Sequence, residues 1–124
     1  MLLHRALTER IIGAAIAVHV ELGAGLLEST YERCLCEELR HVGLRWERQV
    51  ALPLKYRGVT LEDAYRVDII VESAVIIEVK AVEQISPIHK AQLLTYLRHS
   101  KLRVGLLVNF NVPILTDGIH RVVL

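Results

Sequence analysis

From Thr8 to Leu22, apolar residues recur three and four apart at Ile11, Ile12, Ala15, Ile16 and Leu22, with His19 on the same face. That spacing predicts a helix, and Gly23 supplies its stop. Leu27, Tyr31, Leu35, Leu39 and Val42 repeat at nearly four and predict a second helix ending at Gly43. Ser29 with Glu32 fits a capping box, which would start this helix at Ser29 and leave Glu28 just outside its first turn.

After Gly43 the period changes to two. Leu44, Trp46, Arg48 and Val50 alternate, Leu52 to Tyr56 continues extended with Pro53 marking an edge, and Arg57-Gly58 reads as a turn. Two β-branched runs follow, Tyr65 to Val71 and Val75 to Ala81, joined as a hairpin by Glu72-Ser73-Ala74. Ser86-Pro87 opens a third helix running to about Ser100, with Pro87 in its first turn. Val104 to Phe110 and Ile119 to Leu124 are the last strands. The order predicts an α/β (α+β) fold in which helices pack on a mixed sheet.

The hairpin sorts its own side chains. With a three-residue connection, Val71 pairs with Val75 and Asp68 lies opposite Glu78. One face then carries Tyr65, Val67, Ile69 and Val71 with Val75, Ile77, Val79 and Ala81, and reads as core. The other carries Arg66, Asp68, Ile70, Ile76, Glu78 and Lys80. Charges on apolar central strands oppose folding unless they find partners. Two facing carboxylates repel, and a hard divalent cation relieves that repulsion by taking their oxygens. Such a cation would polarise a phosphoryl oxygen and help deprotonate a bound water, with Lys80 steadying the attacking water or the developing charge. The competing account of these residues is an ordinary ion pair in which Lys80 neutralises Glu78.

Composition narrows the partners. The 124 residues are 52% hydrophobic, which fits a single domain over 1–124. Fifteen Lys and Arg against 14 Asp and Glu leave a net charge of +1, so nucleic acid would have to be held by a local patch. Arg40, Arg45, Arg48, Lys55 and Arg57 are candidates to track phosphates, although scattered surface charge explains them as well. Cys34 and Cys36, two apart on a helix, point in different directions and predict no disulfide framework. With neither a signal-like start nor a bilayer-length apolar run, the expected location is the cytoplasm, without a membrane partner.

Asp68 followed by Glu78-Val79-Lys80 resembles the D and E-x-K of the PD-(D/E)xK nuclease superfamily. Downstream, Gln92-Leu93-Leu94-Thr95-Tyr96 is similar to the Q-x-x-x-Y box of its RecB-like branch, with both named residues on one helical face. Upstream, Gly25-Leu26-Leu27-Glu28-Ser29-Thr30-Tyr31 resembles the signature of the GxxExxY proteins within that superfamily. Ile12-Gly13-Ala14-Ala15 with His19, Leu22-Gly23, Pro87-Ile88-His89 and Asn109-Phe110-Asn111-Val112-Pro113 extend the likeness over essentially the whole chain. Ala24 stands where relatives often have proline, and Val67 replaces the proline of the P-D pair.

The resemblance implies a restriction-endonuclease-like core with an antiparallel meander flanked by helices. It implies Asp68, Glu78 and the Val79 backbone carbonyl as ligands of Mg²⁺ or Mn²⁺, with Glu28 as a further acidic candidate. Lys80 would be the catalytic lysine, and Gln92 and Tyr96 would border the site. The implied activity is phosphodiester hydrolysis in nucleic acid, DNA ahead of RNA. Separately, a chain this short with strands exposed at the sheet edge has a homodimer as one route to completing its substrate groove. The alternative is a nuclease fold that binds nucleic acid or protein without cutting. His19, lone on an apolar face, is expected to be a hydrogen-bonded core residue and His89 a helix N-terminal one. Tyr31 and Tyr96 are expected to be core residues whose hydroxyls reach the site edge.

Overall fold

The computed structural model describes residues 3–124. Its order is α1 (Arg5–Leu22), α2 (Glu28–His41), β1 (Trp46–Tyr56), β2 (Val59–Val71), β3 (Val75–Lys80), α3 (Pro87–Ser100), β4 (Val104–Asn109), a 3-10 turn (Leu115–Gly118) and β5 (Ile119–Val123). The strands form one sheet in sequence order β1-β2-β3-β4-β5. All neighbours are antiparallel except β3 and β4, which run parallel because α3 carries the chain back between them. This is the expected α+β class, consistent with a restriction-endonuclease-like core.

The sheet separates two apolar layers. On one face, α1 and α2 bury Ile11, Val18, Tyr31, Leu35 and Leu39 against Ile69, Ile77, Val79, Leu106 and Phe110. On the other, Leu93, Tyr96 and Leu97 of α3 close over Val67, Ile70, Ile76 and Leu107. β3 and β4 are flanked on both sides, so their side chains are buried on both faces, except Lys80 at the exit of β3. No described helix is long and apolar enough to cross a membrane.

Turn chemistry sets the registers. Arg57 and Gly58 both have positive φ (50° and 81°), the requirement of a two-residue hairpin loop, and Tyr56 pairs with Val59 across it. Pro53 falls on the edge strand as expected. The pairing slips beside it, from Leu52↔Tyr65 to Leu54↔Leu61, because a residue without an N–H cannot continue the ladder. The β2–β3 connection is the expected one, with Val71↔Val75 and Ile70↔Ile76 paired.

Three expectations are corrected. β2 starts at Val59 rather than Tyr65, since the Arg57-Gly58 turn folds the polar stretch Thr60–Ala64 back along β1. The Ser29–Glu32 capping box does not form: α2 begins at Glu28 behind Leu27 with no side-chain cap, and Glu32 is buried and bonded elsewhere. Strict alternation also misplaces two residues. Tyr65 and Val67 pack with the α3 layer, whereas Ile69 and Val71 pack with α1 and α2. β1 does the same, with Trp46 in the α1/α2 layer and Val50 and Leu52 in the other. The exchange falls at Gln49 and Asp68, where Gln49 has φ 53°, a left-handed conformation that interrupts the regular pleat.

Candidate functional site

The backbone ladder between β2 and β3 ends at Ile69↔Ile77. One residue further on, side chains take over its hydrogen bonds. The Asp68 N–H donates to Glu78 Oε2 at 2.7 Å, and the Val79 N–H donates to Asp68 Oδ2 at 2.8 Å. Each carboxylate thereby satisfies an amide that the parting strands leave without a carbonyl, and each holds the other strand's acid in place.

Glu78 is 4% exposed. Burial raises its pKa to about 8, and the charge of Asp68 adds to the effect; the Asp68 N–H bond and the charge of Lys80 pull the other way. Asp68 is also raised by burial, against the Val79 N–H bond and Lys80. Lys80 therefore acts on both acids through its charge. It belongs to none of the ion pairs within 4.0 Å among the described residues, so the Lys80–Glu78 salt bridge of the competing account is not made.

Glu28 occupies the exposed first position of α2, and its Oε2 accepts the N–H of Ala81 at 3.2 Å, immediately beyond Lys80. Tyr96 approaches from α3. Its phenol is pushed up by burial and then by the charges of Glu78 and Asp68, which places it within electrostatic reach of the pair. It stacks on Tyr65 with ring centroids 4.6 Å apart and planes 2° from parallel. Gln92, one turn earlier on α3, is exposed beside it. Val79 turns its side chain into the core and its N–H toward Asp68.

Other candidates are occupied with structure. Tyr31 does not reach the site edge. Its hydroxyl donates to the Gly23 carbonyl at 2.5 Å and accepts the Leu26 N–H at 3.1 Å, while its ring stacks on Phe110 at 4.5 Å. His19 donates from Nε2 to the Val112 carbonyl at 2.8 Å, and His89 Nδ1 accepts the Ser86 N–H at 3.0 Å. Cys34 and Cys36 are free thiols; burial, with the Glu32 charge beside it, pushes Cys36 up to about 12.

Sequence reasoning missed the layer behind Asp68. Glu32 is 5% exposed, ion-paired to Arg48 at 3.0 Å, and accepts Gln49 Nε2 at 2.9 and 3.1 Å. Burial raises its pKa, countered by the Gln49 bond, and the Asp68 charge raises it again. The available signal was its position four residues after Glu28, on the same helical face. Asn109 was also passed over as a site-bearing residue. Buried at the end of β4, it bonds both the N–H and carbonyl of Val82 and so fixes the chain leaving β3.

Among the described residues, no group of three or more His, Cys, Asp or Glu forms a ready-made metal cage. The donor set nonetheless fits a hard cation such as Mg²⁺, which binds through one or two carboxylates and keeps several waters. Asp68 and Glu78 provide oxygens only, in surroundings where their negative charge is poorly compensated.

An antiparallel meander, a crossover helix to a parallel strand, and a carboxylate pair with an adjacent lysine where the central strands part together define a restriction-endonuclease-like α+β domain. A sequence model of the PD-(D/E)XK nuclease superfamily matches residues 5–122, and the chain belongs to that superfamily. Nothing matches it among curated proteins or solved structures.

Proposed function

We propose that this protein is a divalent-metal-dependent nuclease that hydrolyses phosphodiester bonds, with residues 1–124 forming one nuclease-like unit. The observation that carries this reading is the buried Glu78 carboxylate, locked to Asp68 through backbone amides and without a salt-bridge partner among the described residues. Burying acids in this way disfavours folding unless a cation compensates them. Superfamily membership supplies the matching reaction class. The Gly25 to Tyr31 stretch supports a place among the GxxExxY proteins, with Glu28 as the acid contributed by α2.

Asp68, Glu78 and the Val79 carbonyl would hold Mg²⁺ or Mn²⁺, with Glu28 at the margin. When bound, the cation would supply Lewis-acid polarisation of the phosphoryl group and a more acidic water. Lys80, half-buried at the end of β3, orients the attacking water and offsets charge developing on the phosphate. The Tyr65–Tyr96 stack walls the site on the α3 side, and exposed Gln92 offers an amide to the sugar-phosphate backbone.

The test is metal titration against plasmid, single-stranded DNA and RNA. Wild type should cut at least one substrate only with Mg²⁺ or Mn²⁺. Glu78→Gln and Lys80→Ala should each lose roughly a hundredfold or more of that rate while keeping the fold. Metal-dependent binding of nucleic acid with no cleavage of any substrate would instead identify a docking module.

A further inference from the structure

Gln49 is the residue at which the sheet changes layers, and its side chain lies between two acids. Its Nε2 carries two protons. It reaches Glu32 Oε1 at 2.9 Å and Oε2 at 3.1 Å, and Asp68 Oδ1 at 3.4 Å. Glu32 is anchored independently by Arg48. Asp68 Oδ2 is committed to the Val79 N–H, so Oδ1 is the oxygen whose direction Gln49 governs. The Glu32 carboxyl also lies within hydrogen-bonding reach of Asp68, so the amide and the acid compete for it. Without the amide, the Asp68 carboxyl would be left to Glu32 alone, and two such acids either repel or share a proton.

The backbone points the same way. A non-glycine residue at φ 53° in mid-strand is uncommon and unfavourable, and it persists where surrounding contacts hold it. Here its side chain is bonded to the two carboxylates, and its carbonyl accepts from the Arg66 guanidinium at 3.4 Å.

We propose that Gln49 is a positioning residue for the metal site: held by Glu32, it draws Asp68 Oδ1 away from Glu32 and toward the cation position. This inference rests on Asp68 being a metal ligand. It adds a participant carried by β1 to a site otherwise read from β2, β3, α2 and α3. Amide partners of ligating carboxylates commonly change metal affinity by about ten- to a hundredfold when removed.

Two variants separate positioning from folding. Gln49→Gly removes the amide and relieves the left-handed backbone, so the loss of its bonds to Glu32 and the gain in backbone freedom oppose each other in stability. Gln49→Met keeps the side-chain length and the backbone cost but cannot donate. Mn²⁺ affinity, measured calorimetrically on the folded proteins, should fall about tenfold or more in both. Metal-free crystal structures of wild type and Gln49→Gly should show the Asp68 carboxylate rotated toward Glu32 in the variant. Unchanged Mn²⁺ affinity in both variants, or an unmoved Asp68 carboxylate, overturns the inference. A wild type that binds no Mn²⁺ removes the nuclease reading instead, and the two crystal structures still decide what Gln49 does to Asp68.

Discussion

Asp68 and Glu78 are tied crosswise: Glu78 accepts the N–H of Asp68 at 2.7 Å, and Asp68 accepts the N–H of Val79 at 2.8 Å. The arrangement resolves a conflict between folding and chemistry. Two carboxylates at the point where strands separate would ordinarily be expelled to solvent, but here each serves an amide that would otherwise go unpaired. The remaining negative charge is what a cation can use.

That charge predicts an inverted pH profile for the metal-free protein. The Glu78 pKa is about 8 in the fold against 4.5 as the reference. Between these values the unfolded chain has released the proton while the native state keeps it. Stability therefore falls as pH rises through this window, on the order of a few kcal/mol, with Asp68 and Glu32 adding to the strain and Lys80 opposing it. Chemical denaturation at pH 5 and pH 8 should show the drop. Mg²⁺ should reverse it at pH 8, and Glu78→Gln should flatten it. A metal-free protein equally stable at both pH values would contradict the burial argument.

The pair was legible in the sequence because the three-residue turn sets the register: with Val71 on Val75 and Ile69 on Ile77, Asp68 and Glu78 come side by side where the ladder ends. The supporting layer was not legible, for physical reasons. Glu32 matches a capping pattern that requires only local geometry, yet its actual partners, Arg48 and Gln49, come from another element. Tyr65 and Val67 were assigned to the wrong layer because alternation assumes an unbroken pleat, and nothing in Arg48-Gln49-Val50 announces the left-handed residue that breaks it. Helix ends and turns depend on neighbours in sequence; the burial of a charge depends on what arrives from elsewhere.

Arg48 supplies a second prediction. Among the scattered basic residues it stands out, since its guanidinium is spent on a buried acid rather than left free for phosphate. Removing it leaves Glu32 without a counter-charge, so Arg48→Ala should cost about 1–3 kcal/mol, a moderate value because the arginine side chain is itself 37% exposed. Lys55→Ala, on the exposed hairpin, should lie within about 0.5 kcal/mol of wild type. Urea denaturation of both variants checks the contrast. Equal, negligible losses would mean that Glu32 is compensated elsewhere.

Tyr31→Phe tests the joint between α1 and α2. The ring should keep its place on Phe110, but the bonds to the Gly23 carbonyl and the Leu26 N–H are lost, for about 1–2 kcal/mol. Because this loop leads directly into Glu28, the more specific sign is local. The Leu26 amide should exchange with solvent faster in the variant at a pH where global stability is still ample. Unchanged protection at Leu26 would show that the hydroxyl does not hold the loop.

Two glycines rank each other. A Cβ on Gly105 of β4 would lie 2.8 and 2.9 Å from the terminal methyls of Leu93, side-chain atoms that can swing if α3 gives slightly. A Cβ on Gly118 would lie 2.3 Å from the Asn109 carbonyl oxygen, backbone at the end of a fully buried strand. Gly105→Ala should therefore destabilise by about 1–3 kcal/mol and Gly118→Ala by more. The first should be partly relieved by Leu93→Ala, so that the double variant is more stable than the two single losses added together predict. No side-chain truncation offers the second such relief. Gly118→Ala should also loosen the Val82 bonds made by Asn109, with faster amide exchange at Val82 beside the exit of β3. If Gly118→Ala proves the milder change, the close approach of that turn to Asn109 does not govern stability.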